Sequence, residues 1–479
     1  MAGRWSADCN YYITYSSSYW TFNTLGLVTP QPELFLFPAI FLKSFYLIRC
    51  LQRSSRNRSK VSMPVKLSES SPIQHPWAVN GSLSHGWVDG CDRRGTLDLL
   101  WSCLSTLIIC LWVMVHLNLP AAHESYWDNF LRKLRWFFMA ALVPEALLLA
   151  SGGQWASAKR STTDMRASGH EHWTLSHGFY ADMGGILLQP PDYRSFAITA
   201  QQLHYLAVEK YVAVPDISEK QIADKSKADI FAKAFLCVQA SWFVAQSVGR
   251  GIQSLAISPL ELYTCGIILC TITTALFWMK KPLDVTTPIV LPTTTPLATI
   301  LSRGGESARG PFWNTPLDFA EPHAYAFDRW PRLARLYGPH KGPLLRLPND
   351  RNPQLGSVTQ RAYIGVVTAA FATIHFVDWH FAFPTRAEQI LWWIACVLAE
   401  ACLGFHGLLE AKNYRPSRNH TFYLAGYKTR WPLSLFFTVP ATLYLVARLL
   451  TVAVAISSLR ALPVSSYANV QWAAMLPHL

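Results

Sequence analysis

Three ionisable side chains, Glu145, Glu400 and Arg448, fall inside long apolar stretches of the sequence. A charge within a membrane helix costs several kcal/mol unless it is paired or hydrated, so each of these residues is a candidate for function. We predict below that these stretches are membrane helices, each with one end at the luminal surface. Counted from that end, both glutamates lie about eleven residues along the helix and Arg448 about eight, at a rise of about 1.5 Å per residue. The three groups are therefore expected at a similar depth.

This arrangement suits two kinds of site. A carboxylic acid that is desolvated and tuned by a guanidinium can donate a proton to a bound apolar substrate. The same residues can also form a structural ion pair that joins helices without doing any chemistry. The sequence leaves both interpretations open.

The histidines offer further candidates. His406 follows Glu400 by one and a half helical turns and could relay a proton, although a histidine near a helix end is more often simply hydrogen-bonded. His375, Asp378 and His380 are close in sequence, but on a helix His380 points away from the other two, so no metal site is expected. Cysteine pairs of the zinc type and glycine-rich nucleotide loops are missing from the sequence, and no cofactor is predicted.

Aromatic residues are abundant, with nineteen tryptophans in the chain. Trp242 and Trp393 lie in or at the ends of apolar stretches and could line a cavity whose ring faces stabilise a carbocation. The other interpretation is the aromatic belt that membrane proteins place at the interface with water. Asp98, at the mouth of a predicted helix, is interpreted as an interfacial residue.

The elements that must position these groups are predicted to be membrane helices. Of the 479 residues, 51% are hydrophobic and only 15% are charged. Several apolar runs approach the twenty or so residues needed to cross a hydrocarbon core about 30 Å thick, where the backbone must satisfy its own hydrogen bonds as helix. We therefore predict an all-α, polytopic membrane bundle of about eight transmembrane helices, and no strands. The predicted spans are Leu34–Ile48, Leu100–Leu117, Leu134–Gly152, Phe231–Val248, Glu261–Trp278, Tyr363–Phe383, Ile390–Leu409 and Leu433–Ser457.

The formal net charge of +13 is distributed unevenly between the two sides that this count of spans defines. Lysine and arginine concentrate in alternate connecting segments, which predicts that those segments are cytosolic and that both termini are luminal. The charge therefore favours a lipid surface over nucleic acid as a partner. Under this topology the sequons at Asn80 and Asn419 are cytosolic and should carry no glycan.

The predicted organisation has two long cytosolic loops among the helices. The first loop ends at Ser218 to Gln221, whose residue types predict a capping box at the start of a helix. The segments are 1–30, a luminal tail; 31–99, a first anchor helix and basic cytosolic segment; 100–152, a helical pair; 153–230, a cytosolic loop; 231–281, a second helical pair; 282–361, a Pro/Arg-rich cytosolic loop; and 362–479, the C-terminal helices and tail.

Several ordered stretches resemble a large family of fungal multi-pass membrane proteins, mostly uncharacterised. In that pattern an arginine usually follows the LW pair where this chain has Trp393, and an acidic residue usually occupies the last helix where this chain has Val454. If either group serves the family's function, this chain lacks a residue that the function uses. The matching stretches include RGTLDLLWSCLSTLIICLWVMVHLNLP (Arg94–Pro120), HWTLSHGFYADMGG (His172–Gly185), WMKKPLDV (Trp278–Val285), HFAFPTRAEQILW (His380–Trp392) and the tail SLRALPVSSYANVQWAAMLPHL (Ser458–Leu479).

The family is also similar to fungal membrane-bound terpene cyclases of the ascochlorin and macrophorin type. This resemblance implies an enzyme that protonates an epoxide or terminal alkene of a prenyl chain and folds the cation into rings, without a magnesium-binding DDxxD motif. It marks ADMGG as the family's most recognisable segment, with Asp182 as its only acid. Asp182 has either a catalytic or a structural role, and the glycines suit a tight turn.

We therefore expect a membrane-embedded terpene cyclase of endoplasmic reticulum or another endomembrane, with Glu145 or Glu400 as proton donor and Arg448 tuning it. Its partners would be an apolar prenylated small molecule and membrane lipid, with no obligate protein partner. Two other functions stay open: a non-enzymatic transporter or sensor that uses the same charges, and a membrane acyltransferase that uses a histidine such as His406.

Overall fold

The computed structural model describes residues 83–90, 93–121, 123–224, 229–309, 315–320, 346–347, 349, 356–413 and 431–472. The predicted span Leu34–Ile48 and the sequons at Asn80 and Asn419 lie outside these ranges. The described chain is mostly helical, as predicted, but it also contains short strands. Its α-helices are α1 (Thr96–Met114), α2 (Tyr126–Leu142), α3 (Pro144–Ala167), α4 (Leu175–Asp182), α5 (Ala200–Val208), α6 (Glu219–Asp224), α7 (Asp229–Ile252), α8 (Pro259–Phe277), α9 (Leu297–Arg303), α10 (Val358–Thr373), α11 (Arg386–Asn413) and α12 (Trp431–Ser457).

Four described helices are long and apolar enough to cross a membrane: α1, α8, most of α11 and the second half of α12. They confirm that membrane-length apolar helices form where the hydropathy predicted them. Helix α8 is the central one, because 83% of its most apolar window is buried and it packs against α1, α3, α7 and α10. A bundle of eight spans is not confirmed.

Two further predicted spans are helical, but they are not both long and apolar enough to cross a membrane. Helix α7 is long, yet polar side chains such as Lys233, Gln239 and Arg250 interrupt its apolar surface. Helix α10 has 16 residues and passes into a 3-10 turn at Ile374–Asp378. The predicted continuous helix Tyr363–Phe383 is therefore wrong beyond Asp378.

The predicted span Leu134–Gly152 is not one helix. Helices α2 and α3 meet at Val143 with a bend of 112°. The cause is Pro144, which has no backbone N–H to donate and which disfavours helical geometry at the residue before it. Val143 accordingly has φ −134° and ψ 63°, and Pro144 occupies the first turn of α3.

Both ends of this α2–α3 hairpin lie at the same end of the bundle. Lys133 near the start of α2 pairs with Asp284 at 3.0 Å, and Gln154 on α3 accepts a hydrogen bond from Trp278 at 3.1 Å. Asp284 and Trp278 both follow the end of α8. Nine residues separate Lys133 from Leu142, about 14 Å of helix rise, which is about half of a 30 Å hydrocarbon core. The hairpin therefore enters the bundle and returns, with its tip, defined as residues 141–145, in the interior.

This return corrects the predicted sides of the membrane. Arg94, placed in the cytosol by the count of spans, forms an ion pair of 2.6 Å with Glu261 at the supposedly luminal start of α8. Strand β1 (Leu83–His85) likewise pairs antiparallel with β5 (Ala461–Pro463) in the C-terminal tail. Counting the hairpin as a crossing had placed Arg94 and β1 on the opposite side from Glu261 and β5. We call the end of the bundle with residues 83–95, 253–258 and 458–472 the tail side.

The two predicted loops are one folded lobe at the other end of the bundle, the lobe side. Strands β2 (Ile186–Gln189), β3 (Phe196–Ala197) and β4 (Ile289–Pro292) form a sheet in the order β3-β2-β4, in which β2 and β4 are parallel. The lobe has its own apolar core, which includes Trp173, Phe196 and Leu203. The absence of strands was therefore a wrong prediction. The predicted capping box is confirmed, since Ser218 and Gln221 exchange backbone-to-side-chain hydrogen bonds of 2.8 and 3.2 Å.

Engineered glycosylation tests this arrangement. Gln471→Thr creates a sequon at the exposed Asn469 on the tail side, and Asp216→Asn creates one at an exposed position of the lobe. Among the described residues, lysine and arginine are more numerous on the lobe side than on the tail side, where Arg94 and Arg460 are already paired with glutamates, so the positive-inside rule favours a cytosolic lobe. We expect a glycosidase-sensitive mass shift for Gln471→Thr and none for Asp216→Asn. Glycan on both variants would contradict a lobe and a tail on opposite sides.

Candidate functional site

The hairpin tip places two backbone carbonyls inside the bundle. A helix that ends away from water leaves its last C=O groups without partners, and these need donors from elsewhere. Arg448 Nε donates to Leu142 O at 3.1 Å, and the hydroxyl of Tyr263 donates to Ala141 O. A guanidinium is also a favourable charge at the carboxyl end of a helix. Helices α8 and α12 therefore supply the groups that cap α2.

Glu145 lies on the other side of the tip, in the first turn of α3, where its side chain is only 3% exposed. It faces the charge of Arg448 and the hydroxyl of Tyr444. Tyr444 is close enough to interact, yet neither carboxylate oxygen has a partner in regular hydrogen-bond geometry among the residues described. The fold thus brings together Glu145 and Arg448, two of the predicted site residues.

Arg448 is 2% exposed and is surrounded by neutral groups apart from Glu145. Its guanidinium lies 4.6 Å from the ring centroid of Phe371 and 5.0 Å from that of Tyr263. Its Nη1 lies 3.4 Å from Nε2 of His375. Because Nδ1 of that histidine faces the carbonyl of Phe371 at 3.2 Å, Nδ1 holds the proton and Nε2 accepts from the arginine. His375 is therefore a neutral member of the site, a role that the sequence analysis, which considered it only for a metal site, did not predict.

A small cavity adjoins this cluster between α10, α11 and α12. Arg448, Tyr444 and His375 supply its polar wall, and the remaining wall is mostly apolar, including Phe371 and Ala399. Its volume is about 10 Å³, which is room for about one water molecule. The cavity therefore leaves a small space beside the buried polar cluster.

Glu400 does not join this cluster. It is half-buried on α11, and no charged group within the described parts of the chain acts on its carboxyl. His406, further along the same helix, lies against Phe405 and is not part of the cavity wall. Equal depth did not bring Glu400 to Arg448, since depth along a helix says nothing about which face points inward.

Asp182 has a structural contact in the lobe. Its Oδ1 accepts a hydrogen bond of 3.0 Å from the backbone N–H of Ala200, which ties the end of α4 to the first turn of α5. The glycines after it form the tight turn that was predicted. Gly184 has φ +88°, and a side chain on Gly185 would collide with Tyr180. Asp182 therefore lies apart from the hairpin tip.

Neither of the tryptophans considered as cavity walls lines the cavity beside Arg448. Trp242 is exposed and packs against Trp472, while Trp393 stacks on Trp379 near the tail-side start of α11. Both positions suit the interfacial belt. Among the described residues, no three His, Cys, Asp or Glu side chains are placed to hold a metal ion.

Lys281 is a candidate that sequence reasoning missed. It is 1% exposed, and its Nζ donates to His116 O at 2.9 Å, Gln154 Oε1 at 2.9 Å and Asn118 Oδ1 at 3.4 Å. Burial lowers the pKa of Lys281 to about 7, an effect that Asp182 opposes and Lys233 reinforces. The KK pair in WMKKPLDV gave no sign of this. The two lysines are identical and adjacent in the sequence, yet Lys280 is exposed and Lys281 is buried.

This lysine predicts a pH-dependent stability. With a folded-state pKa of about 7 against an ordinary value of 10.5, the unfolded chain binds the extra proton between these pH values. Stability is therefore lowest below pH 7 and rises up to pH 10.5, by at most about 5 kcal/mol. Thermal unfolding in detergent should show this rise for wild type and for the control Lys280→Met, but not for Lys281→Met. Parallel curves for wild type and Lys281→Met would contradict the assignment.

Comparison with known proteins reaches only part of the chain. No curated protein and no solved structure matches it significantly. A match to a protein family covers residues 72–302. This segment contains the hairpin, Asp182 and Lys281, whereas Arg448 and the cavity lie outside it. Over residues 72–302 the chain is similar to a family of unknown function (DUF8562).

Proposed function

We propose that the protein is a membrane-embedded terpene cyclase that protonates an apolar, prenylated substrate. The observation that carries the proposal is Glu145: a carboxyl group inside the bundle, 3% exposed, facing Arg448 and without a regular hydrogen-bond partner among the described residues. A carboxyl that is not held by other donors is free to exchange a proton with a ligand.

The location supports an apolar substrate. The tip of the hairpin lies about 14 Å of helix rise inside the bundle, close to the middle of a hydrocarbon core. A prenyl chain dissolves in that layer, and water, which would quench a carbocation, is scarce there. The site suits an endomembrane enzyme such as one of the endoplasmic reticulum, with lipid and substrate as its partners.

The chemistry needs no cofactor. The O–H bond of Glu145 breaks while its proton forms a C–H bond with the less substituted carbon of the terminal alkene, using the π electrons of that alkene and leaving a tertiary cation on its other carbon. The next alkene of the chain supplies the electrons for a C–C bond, which closes a ring and moves the cation along. Loss of a carbon-bound proton to water ends the reaction, and Glu145 regains a proton from water. Substrate and product are isomers.

The cavity must enlarge to admit such a chain. Its walls on α11 and α12 are suited to this, because these helices pack mainly against each other and meet through small side chains such as Ala399, Cys402 and Ala447. We propose that the pair moves as a unit, opening the space beside Tyr444 and Arg448 to the lipid phase.

The proton transfer can be tested directly. Membranes from cells that express the chain are given a farnesylated phenol with a terminal alkene, once in H₂O and once in D₂O. We expect a cyclic product of unchanged mass in H₂O and of one added mass unit in D₂O, because the incoming deuteron stays on carbon. A cyclic product without deuterium would exclude protonation of the alkene, and absence of any product would exclude this substrate class.

One observation favours a second candidate, a transporter. The hairpin consists of two half-helices whose ends meet charged and polar groups in the interior, a construction typical of transporter binding sites. Purified protein in sealed vesicles with an internal pH-sensitive dye would then show proton flux without chemical conversion of any solute. Vesicles with Glu145→Gln serve as the matched control.

A further inference from the structure

The charge of Arg448 has one counter-charge among the described residues, the carboxylate of Glu145. Its remaining contacts are a backbone carbonyl, the Nε2 of a neutral His375 and two aromatic ring faces. A buried guanidinium without a negative partner is costly. The proposed function requires Glu145 to carry a proton, and in that state Arg448 lacks an anion.

Two unused donors point to where an anion can bind. Arg448 Nη2 and the hydroxyl of Tyr444 have no partner in regular hydrogen-bond geometry within the described chain, although the Tyr444 hydroxyl also lies near the carboxyl of Glu145. Both side chains are more than nine-tenths buried, and both form the wall of the cavity. The hydroxyl of Thr451, also in this wall, is already occupied by Ala447 O at 2.9 Å.

The rest of the wall limits the ligand. Apart from His375, it consists of apolar or small side chains, among them Phe371, Cys396, Ala399 and Leu403. About 10 Å³ accommodates one hydrogen-bonded oxygen group and no more. An anionic oxygen at the end of a ligand fits the donors, and an apolar remainder suits the apolar walls once α11 and α12 open the space beside them.

We propose that the cavity binds the oxygen end of an amphipathic organic acid, a phenolate or carboxylate, between Arg448 Nη2 and the Tyr444 hydroxyl. This rests on the proposed function, for which it names the polar end of the substrate. Anion binding at Arg448 and protonation of Glu145 then favour each other, because each removes an unbalanced charge from the interior. Other titratable groups that face this pair are Tyr263 and Cys270 on α8, Cys396 on α11 and His375.

The test is a binding measurement that needs no turnover. Purified protein in detergent is titrated with decanoate and, separately, with decanol, which has the same chain without the anion, and binding is followed by calorimetry. We expect decanoate to bind about tenfold more tightly at pH 6 than at pH 8 and decanol to bind weakly at both. Tyr444→Phe, which removes only the hydroxyl, should weaken decanoate binding about tenfold.

Glu145→Gln separates this inference from the proposed function. The amide imitates the protonated acid, so the variant should bind decanoate as tightly at pH 8 as wild type does at pH 6, although it cannot donate a proton to an alkene.

Competition by chloride is a further test. If chloride alone displaces decanoate at millimolar concentration, the cavity is a site for free halide, and the proposal of an organic acid is overturned. Equal binding of decanol and decanoate, or no effect of Tyr444→Phe, would also overturn the proposal.

Discussion

Glu145→Gln is expected to lower the rate of cyclised product formation by at least about a hundredfold, the typical contribution of a positioned general acid. Glutamine preserves the shape of the side chain but has no acidic proton to give. The measurement is product formation in membranes at equal protein amount, with the melting temperature as a check that the variant is folded. Because Glu145 is buried without regular hydrogen bonds, the substitution breaks no such bond within the described chain.

The matched control is Glu400→Gln. This glutamate also lies within a helix of membrane length, but it is half-buried and no charged group of the described chain acts on it, so its loss should leave the rate within about twofold of wild type. Unchanged product from Glu145→Gln would remove this residue from the mechanism. Loss of product from Glu400→Gln alone would transfer the role of proton donor to α11.

Glu261→Gln is expected to destabilise the protein by about 3–5 kcal/mol, the usual effect of leaving a buried charge unpaired. Glu261 Oε1 lies 2.6 Å from Nη1 of Arg94 and 3.9 Å from Nε of Arg250. Its Oε2 accepts hydrogen bonds from the backbone and the hydroxyl of Ser258, which caps α8. Two arginines lose their shared carboxylate in this variant.

The position of Arg250 explains why the effect should be large. Its guanidinium donates to the carbonyls of Ala256, Ser465, Ser466 and Ala468, so it fastens the C-terminal tail to the turn before α8. Arg94 fastens the segment before α1 to the same carboxylate. Glu261 therefore connects three parts of the tail side that are far apart in the sequence.

Glu388→Gln is the control for this prediction. Glu388 pairs with Arg460 at 2.6 Å, but that arginine is 64% exposed, and an ion pair of this kind contributes about 1 kcal/mol or less. Unfolding of purified protein by increasing denaturant in mixed micelles should separate the two variants clearly. Equal, small losses from both would show that the tail side is held by its backbone pairing alone.

Some features could be predicted because they depend on local composition. The apolar stretches of α1, α8, α11 and α12 were identified from hydropathy, since a helix in hydrocarbon satisfies its backbone within its own segment. The capping box at Ser218 needed only two residue types at the right spacing. Pro144 is a local signal for the bend between α2 and α3, but the bend was not predicted because the apolar run around Pro144 was interpreted as one span.

The pairing of Glu145 with Arg448 was predicted from depth, and depth alone was not sufficient. The same reasoning included Glu400, whose side chain lies apart from the other two. Rotation about the helix axis decides which side chains at one depth meet, and it is set by packing between helices. Lys281 and His375 were missed for the same reason, because their burial comes from residues on other elements.

By itself the sequence determined that this is a helical protein with apolar segments of membrane length and with a few ionisable groups inside them. Only the tertiary structure decided that the segment around Pro144 returns instead of crossing, that the two loops form one lobe, and which buried charges meet. The physical reason is range: helix formation is settled within a segment, whereas Arg448 contacts Leu142 across 306 positions of sequence. Contacts of that kind depend on the whole packed bundle, and they define the site.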